Sequence, residues 1–326
     1  MMERDLTKNN HDQLRSFLER FGIILVALVV MLVFAAINSK FVTLDNLFNI
    51  TKQISITAVT SIGMTAVFLI GGMDLSAGSN ILLSAVITGA FITDASLPTG
   101  LAMAIAIAAC TVMGLLNGVL IEKFKINSVI LTLGSQLLIR GLGLVLLEKY
   151  NSWMWTNKDS VLSYINKGTI VGIPVLFFIM ALLYAIAYLV FTRTSFGRQI
   201  YAAGGNEKAA KLCGLNTSWI KIGCFVMSGV TAGIAGIIAA SRLGVVNPSV
   251  GTGMEFNAVT AVVLGGVSLK GGEGNVLKTF VGALIVGFIV NFMTLYGVDA
   301  NYQSVVTGVF ILLAAIFNWS TAARKA

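Results

Sequence analysis

The chain is dominated by long apolar runs that recur from Phe21 to Trp319. Hydrophobic residues make up 56% of its 326 positions and charged residues only 11%, whereas an ordinary soluble domain carries about 25% charged residues. Apolar runs of this length are typical of helices that are solvated by lipid, because a helix satisfies its own backbone hydrogen bonds. The sequence therefore predicts an all-α membrane protein.

The apolar runs predict a polytopic bundle of about ten transmembrane helices. They cover residues 21–37, 53–70, 79–92, 100–121, 126–147, 171–191, 222–240, 256–269, 277–295 and 303–319. The third and eighth runs are shorter than the roughly 20 residues of a full span, so a bundle of eight spans with two re-entrant segments remains an alternative. A single transmembrane domain is predicted over residues 21–319, with tails at 1–20 and 320–326.

The basic residues predict the orientation of this bundle. With a cytoplasmic amino terminus, fifteen of the 22 Lys and Arg residues fall on the cytoplasmic side, six fall outside, and Arg140 lies within a span. Cytoplasmic loops carry such an excess, so both termini are predicted to be cytoplasmic. Topology also explains the net charge of +8, and no nucleic-acid partner is expected. No small-residue cleavage site follows the first run, which is predicted to be a retained anchor.

The residue types that perform catalysis or bind metals do not cluster along the chain. His11 is its only histidine, and its three cysteines form no CxxC pair, so neither a metal nor another cofactor is predicted. Lys278 and Thr279 follow several glycines, but Leu277 occupies the position where a phosphate-binding loop requires glycine. We therefore expect a non-catalytic chain without a phosphate-binding loop of its own.

The loop over residues 192–221 is the longest predicted cytoplasmic connection. Asn206 can cap the start of a short helix and Gly214 can end it in a left-handed conformation. Between them, Glu207 and Lys211 are one turn apart and can form an ion pair. A helix of two turns is too short to be stable alone, so it must rest either on the membrane surface or on a soluble partner.

Two glycine-rich turns follow the second and eighth apolar runs. Both are predicted on the cytoplasmic side, where glycine permits sharp turns. Asp74 and Ser76 can cap the helix that follows the first turn. Capping and packing roles and a gating role all remain open for these turns. Their candidate residues are Gly71, Gly72, Asp74, Ser76, Gly265 and Gly266.

A few polar residues within the spans are candidates for a translocation path. Arg140 either lines this path or extends its guanidinium to the outer interface. Thr60, Asn257 and Asn291 offer neutral hydrogen-bonding groups, although such side chains also bond to their own helix. Asp74 is expected at a helix boundary, and Glu255 and Asp299 are expected to be solvated at outer ends. A proton relay would require an acid or a histidine near the centre of a span.

Four stretches carry a resemblance to a known family. They are residues 193–214, with Ala203–Ala210 and Gly214 as the closest part, together with 46–50, 71–76 and 264–272. In their order along the chain, these four stretches resemble those of ribose-type sugar permeases, the membrane subunits of bacterial ATP-binding-cassette importers. The resemblance extends over about residues 41–317 and does not identify the sugar.

This resemblance implies the partners, location and mechanism of the chain. It implies a complex in the bacterial cytoplasmic membrane with two permease subunits (identical rather than different), two ATPase subunits and a periplasmic or extracellular sugar-binding protein. Residues Asn206, Glu207, Ala209, Ala210, Leu212 and Gly214 would then dock on the ATPase. ATP would drive alternating access for a ribose-like pentose, a hexose or a related polyhydroxylated solute. A gradient-driven secondary transporter is the alternative.

Overall fold

The computed structural model describes residues 21–94, 97–156, 158–299, 302–310 and 312. Helices α1 to α7 are Phe21–Ile37, Leu44–Leu69, Ala77–Thr93, Thr99–Phe124, Ser128–Glu148, Ser160–Lys167 and Val175–Arg193. Helices α8 to α12 are Ser195–Gly205, Glu207–Leu212, Thr217–Leu243, Met254–Leu264 and Val276–Leu295. A last helix, α13, covers residues 302–310, and a 3-10 turn at Ser39–Val42 precedes α2.

Two short antiparallel pairs close the loops at one end of the bundle. Strand β1 (Met154–Trp155) pairs with β4 (Val245–Val246), and β2 (Thr169–Ile170) pairs with β3 (Ile173–Pro174). Along the chain, helix α6 lies between β1 and β2. We refer to this end as the strand end, and to the opposite end, which carries α8 and α9, as the α9 end.

The prediction of an all-α polytopic membrane protein is confirmed. Each predicted apolar run coincides with a helix in the described residues, although only part of the tenth run, residues 302–310, is described. Helices α2, α4, α5, α7, α10 and α12 are long and apolar enough to cross a bilayer. Helices α1, α3 and α11 are shorter, and α11, with 11 residues, is the shortest helix among the predicted spans whose whole length is described.

The start of α2 is the predicted helix boundary that differs most from the structure. Helix α2 begins at Leu44 rather than at residue 53, so Lys52 lies within the helix instead of in an outer loop. The polar residues of its first turns hid this start. One of these polar residues, Asn46, is buried. Its side-chain amide exchanges hydrogen bonds of 2.9 Å and 3.1 Å with the amide of Asn291 on α12.

The centre of the bundle is formed by α10 packed against α2, α3 and α4. Glycines allow these backbones to meet. A Cβ atom at Gly114 would overlap the carbonyl oxygen of Phe225, and one at Gly229 would overlap that of Cys110. Such contacts between small residues hold membrane helices together where lipid removes the hydrophobic driving force. Large apolar side chains are exposed on α1, α5 and α7, as expected for lipid-facing helices.

Candidate coupling site and solute cavity

The short helix predicted after Asn206 is present as α9. The Asn206 side chain accepts a hydrogen bond of 2.9 Å from the backbone nitrogen of Ala209, and Gly214 is left-handed with φ of +81°. Lys211 and Glu207 form the predicted ion pair at 2.7 Å. The local geometry predicted for this helix is therefore confirmed.

The helix before it, α8, was not predicted. It begins after Thr194, whose hydroxyl accepts a hydrogen bond of 3.1 Å from the backbone nitrogen of Gly197. A threonine followed by a non-apolar stretch was the available signal for this start, and the two glycines at its end obscured the helix. The connection over 192–221 is thus a pair of helices rather than one helix in a loop.

Helix α9 presents most of its side chains to its surroundings. Leu212 is 90% exposed, and Lys208, Ala209 and Lys211 are exposed beside it. Ala210 is buried and faces the bundle. The outer face of α9 therefore presents an exposed leucine next to two exposed lysines, Lys208 and Lys211.

The end of α8 approaches the backbone of two other parts of the chain closely. A Cβ atom at Gly204 would overlap the carbonyl oxygen of Leu69, at the end of α2. That carbonyl accepts a hydrogen bond of 2.8 Å from the backbone nitrogen of Gly272. A Cβ atom at Gly271 would in turn lie 2.8 Å from the nitrogen of Gly71. We call this contact of α8, the end of α2 and the 265–275 loop the glycine junction.

The glycine junction joins three of the four stretches that the sequence analysis singled out. Gly71 and Gly266 have φ of +72° and +74°, which L side chains rarely adopt. A Cβ atom at Gly265 would lie 2.7 Å from the Cα of Thr279 on α12, and one at Gly72 would lie 3.2 Å from the side chain of Val67. These glycines therefore allow tight turns and close packing at the α9 end.

A second set of contacts ties α9 to α4 and α10. The amino group of Lys221 lies 2.7 Å from a carboxylate oxygen of Glu207 and 3.2 Å from one of Glu122. Glu122 also pairs with Lys125 at 2.7 Å and accepts a hydrogen bond of 2.8 Å from Ser218. Hydrogen bonds from Lys211 and Lys221 lower the pKa of Glu207 to about 2. Sequence analysis missed this ion cluster because its members are far apart along the chain.

Asp74 is not the helix cap that the sequence suggested. Helix α3 begins after Ser76 without a side-chain cap. Asp74 is fully buried and accepts hydrogen bonds of 2.6 Å from the hydroxyls of Ser76 and Ser228. Ser228 lies in the middle of α10. Asp74 therefore lies at a helix boundary, between α2 and α3, as predicted, but the turn folds into the bundle and buries it.

Glu255 is also buried, which contradicts the prediction that it is solvated. Its side chain accepts a hydrogen bond of 2.9 Å from Gln136 on α5. One turn further along α5, Arg140 donates to the carbonyl of Pro248 and the hydroxyl of Thr252. Helix α5 thus holds the loop that leads into α11. Asp299 is exposed, as predicted.

A cavity of about 680 Å³ lies between α2, α11, α12 and α13. Ligand sites commonly have volumes of about 300–1,000 Å³. Its polar lining residues are Gln53, Thr57, Arg242, Thr252, Asn257, Gln303, Ser304 and Thr307. None of the described lining residues is acidic.

Of the four residues proposed for the path, only Asn257 lines this cavity. Thr60 is buried and bonds to the carbonyl of Ile56 at 2.8 Å. Asn291 is occupied by its amide pair with Asn46, and Arg140 supports the loop behind the cavity wall. Sequence analysis missed other lining residues, such as Gln53 in α2 and Arg242 in the last turn of α10. They are far apart along the chain, so their proximity could not be predicted from one sequence.

The fold and the site define a polytopic membrane permease with an exposed short helix at one end and a polar cavity between its helices. The model of the family described as "Branched-chain amino acid transport system / permease component" matches residues 46–315. The chain belongs to this family of permease components and is not a catalytic enzyme. It is an integral protein of the bacterial cytoplasmic membrane.

Several curated relatives match nearly the whole chain. The ribose import permease RbsC of Escherichia coli K12 is 39% identical over 295 residues, which cover 90% of this chain and 91% of that protein. RbsC of Haemophilus influenzae is 37% identical and covers 90% of both chains. The D-allose transport system permease AlsC of Escherichia coli K12 is 31% identical and covers 91% of both. No solved structure matches the chain.

Proposed function

We propose that this chain is the permease subunit of an ATP-binding-cassette importer for a small sugar. A soluble binding protein delivers the sugar outside, and a separate ATPase drives alternating access. Both termini and α9 face the cytoplasm, and the strand end faces outward. Two permease subunits, most simply two copies of this chain, assemble with two ATPase subunits.

The attachment of α9 carries this proposal. Its exposed face, which ends at Leu212, is free to meet an ATPase. Its inner side is fixed to α4 and α10 by the ion cluster. Helix α8, which leads directly into α9, is fixed to the end of α2 and to the 265–275 loop by the glycine junction. A force applied to the exposed face therefore reaches helices on both sides of the bundle. This arrangement suits the rigid-body rocking that alternating access requires.

The lining of the cavity supports a sugar more than an amino acid. Amides and hydroxyls hydrogen-bond to the hydroxyl groups of a sugar. An amino acid carries an ammonium group as well, and burying it calls for a nearby carboxylate. No such carboxylate is found among the described lining residues. The names of the relatives, which refer to ribose, D-allose and L-arabinose, agree with a sugar.

A gradient-driven secondary transporter is the second candidate, because the bundle buries the carboxyl groups of Asp74 and Glu255 in addition to the ion-paired Glu122. Buried acids are the usual carriers of protons in transporters. Both oxygens of Asp74 are, however, hydrogen-bonded to Ser76 and Ser228. This arrangement favours a structural role for Asp74 and leaves Glu255 as the stronger candidate for proton coupling.

Purification and transport separate the two candidates. The importer hypothesis predicts that a soluble ATPase co-purifies with the chain and that sugar uptake into vesicles requires ATP. Sugar accumulation by the chain alone under a proton or sodium gradient, without nucleotide, would support the secondary transporter instead.

A further inference from the structure

Arg242 is the unusual polar residue of the cavity. It lies in the last turn of α10, is partly buried, and lines the cavity. In the part of the chain that the structure describes, its guanidinium forms no ion pair and no hydrogen bond. Only its backbone carbonyl is engaged, by the amide of Asn166 at 3.2 Å.

Two other cations within the helices are compensated. Lys221 lies between two carboxylates, and Arg140 donates to Pro248 and Thr252. Removing a cation from water without a partner is unfavourable, and an uncompensated cation within a membrane bundle indicates function. Arg242 therefore lacks, among the described residues, the partner that the other two possess.

The surroundings indicate the chemistry of that partner. The neighbouring polar groups include the amides of Gln53, Asn257 and Gln303, and no described lining residue is acidic. A guanidinium is a planar fork of donors that matches two adjacent oxygen atoms. Adjacent oxygens occur in the vicinal hydroxyls of a sugar and in a carboxylate.

We propose that Arg242 is the specificity-determining residue of the cavity and that it binds two adjacent oxygens of the transported solute. The inference rests on the proposed function, since it names the solute group that the permease recognises. Neutral sugars with vicinal hydroxyls and sugar acids are accepted, and cationic solutes are excluded. The positive charge of Arg242 excludes cationic solutes, and its planar guanidinium recognises the pair of adjacent oxygens.

Cysteine labelling tests the charge without relying on transport. Thr57 lines the same cavity, and Thr57→Cys adds a thiol there. Cys213 is exposed while Cys110 and Cys224 are buried, so the variant is made together with Cys213→Ser. Membrane vesicles of both orientations are labelled with an anionic and a cationic methanethiosulfonate of similar size. We measure the ratio of the labelling rate of the anionic reagent to that of the cationic reagent. This ratio should be about tenfold higher when Arg242 is present than after Arg242→Gln.

Two further variants separate charge from geometry. Arg242→Lys should keep the preference for the anionic reagent. When Arg242 is present, millimolar D-ribose and D-gluconate should protect the introduced thiol from labelling. After Arg242→Lys, both solutes should protect it much less. Lys167→Gln removes an exposed cation at the same end and should change neither result. Protection by gluconate but not by ribose would assign the fork to carboxylates and overturn the neutral-sugar part.

The proposal is wrong if the reagent preference is the same before and after Arg242→Gln, or if the thiol at position 57 is unreactive in every vesicle preparation. These outcomes differ from failure of the proposed function. A vesicle that shows the charge preference but needs no ATP for uptake would contradict the importer and leave the role of Arg242 intact.

Discussion

At the scale of single residues, Gly204 and Gly205 form a matched pair at the glycine junction. A methyl group at Gly204 would overlap the Leu69 carbonyl, whereas one at Gly205 would meet only the Cα of Gly272 at 4.0 Å. Overpacking of this kind costs about 1–3 kcal/mol. We therefore expect Gly204→Ala to lower the thermal stability of the purified protein and to reduce uptake, and Gly205→Ala to do neither. Equal melting temperatures for both variants would show that the junction is not tightly packed.

Glu207 predicts a pH dependence at the α9 end. Hydrogen bonds from Lys211 and Lys221 lower its pKa from 4.5 to about 2. The folded state thus favours the charged carboxylate, and its stabilising contribution is present above pH 4.5 and is lost as the pH falls from 4.5 to about 2. The contribution is small, because the side chain is about one third exposed and is screened by solvent.

Melting temperatures of the wild type and of Glu207→Gln measure this contribution. The wild type should be the more stable at pH 6, and the difference should shrink as the pH approaches 2. A difference that stays constant down to that pH would assign the effect of the substitution to packing rather than to charge.

Single residues were predictable where their partners are close in sequence. The cap at Asn206, the left-handed Gly214 and the Glu207–Lys211 pair depend on neighbours within one or two turns. The burial of Asp74 and of Glu255 was not predicted, because their partners, Ser228 and Gln136, lie more than a hundred residues away. The helix that packs beside an acidic residue in a turn cannot be identified from one sequence, so the burial of that residue is not predicted.

At the scale of helices, Lys221 connects α9 with α4. Lys221→Met should remove both ion pairs and leave the buried Glu122 with Lys125 alone. We expect sugar uptake by the assembled complex to fall about tenfold (about 1.4 kcal/mol of coupling), while ATP hydrolysis continues. Lys125 is more exposed and does not contact α9, so Lys125→Met is the matched control and should keep uptake close to the wild type. Equal losses in the two variants would contradict a role for the bridge in coupling.

Helices were predicted well where their sequences are apolar and poorly where they are polar. The runs that became α4, α5 and α12 begin and end close to the predicted residues. The first turns of α2 contain Asn46, Thr51 and Lys52 and were taken for a loop. Helix α8 was missed for the same reason. A hydrophobic run identifies a helix that is surrounded by lipid. The polar first turns of α2 and helix α8 are stabilised by contacts with other parts of the chain, which hydrophobicity does not reveal.

At the scale of the whole molecule, the helices differ in how tightly they meet. The backbones of α4 and α10 touch at several glycines, whereas the opposite side of the bundle encloses the cavity between α2, α11, α12 and α13. The α8–α9 pair is attached to both sides, α9 through the ion cluster and α8 through the glycine junction. A displacement of α9 can therefore shift the cavity walls relative to the tightly packed α4–α10 pair.

The central claim is that work enters this permease through the exposed face of α9, and Leu212 tests it most directly. Because Leu212 is 90% exposed, Leu212→Asp should leave folding and membrane insertion unchanged, and Leu212→Met serves as the apolar control. Labelled sugar uptake is measured in vesicles that contain the assembled complex, the binding protein and ATP. We predict that Leu212→Asp lowers uptake to the level of vesicles without nucleotide and that Leu212→Met retains most of it. Undiminished uptake by Leu212→Asp, or uptake by the wild type that does not depend on nucleotide, would contradict the claim.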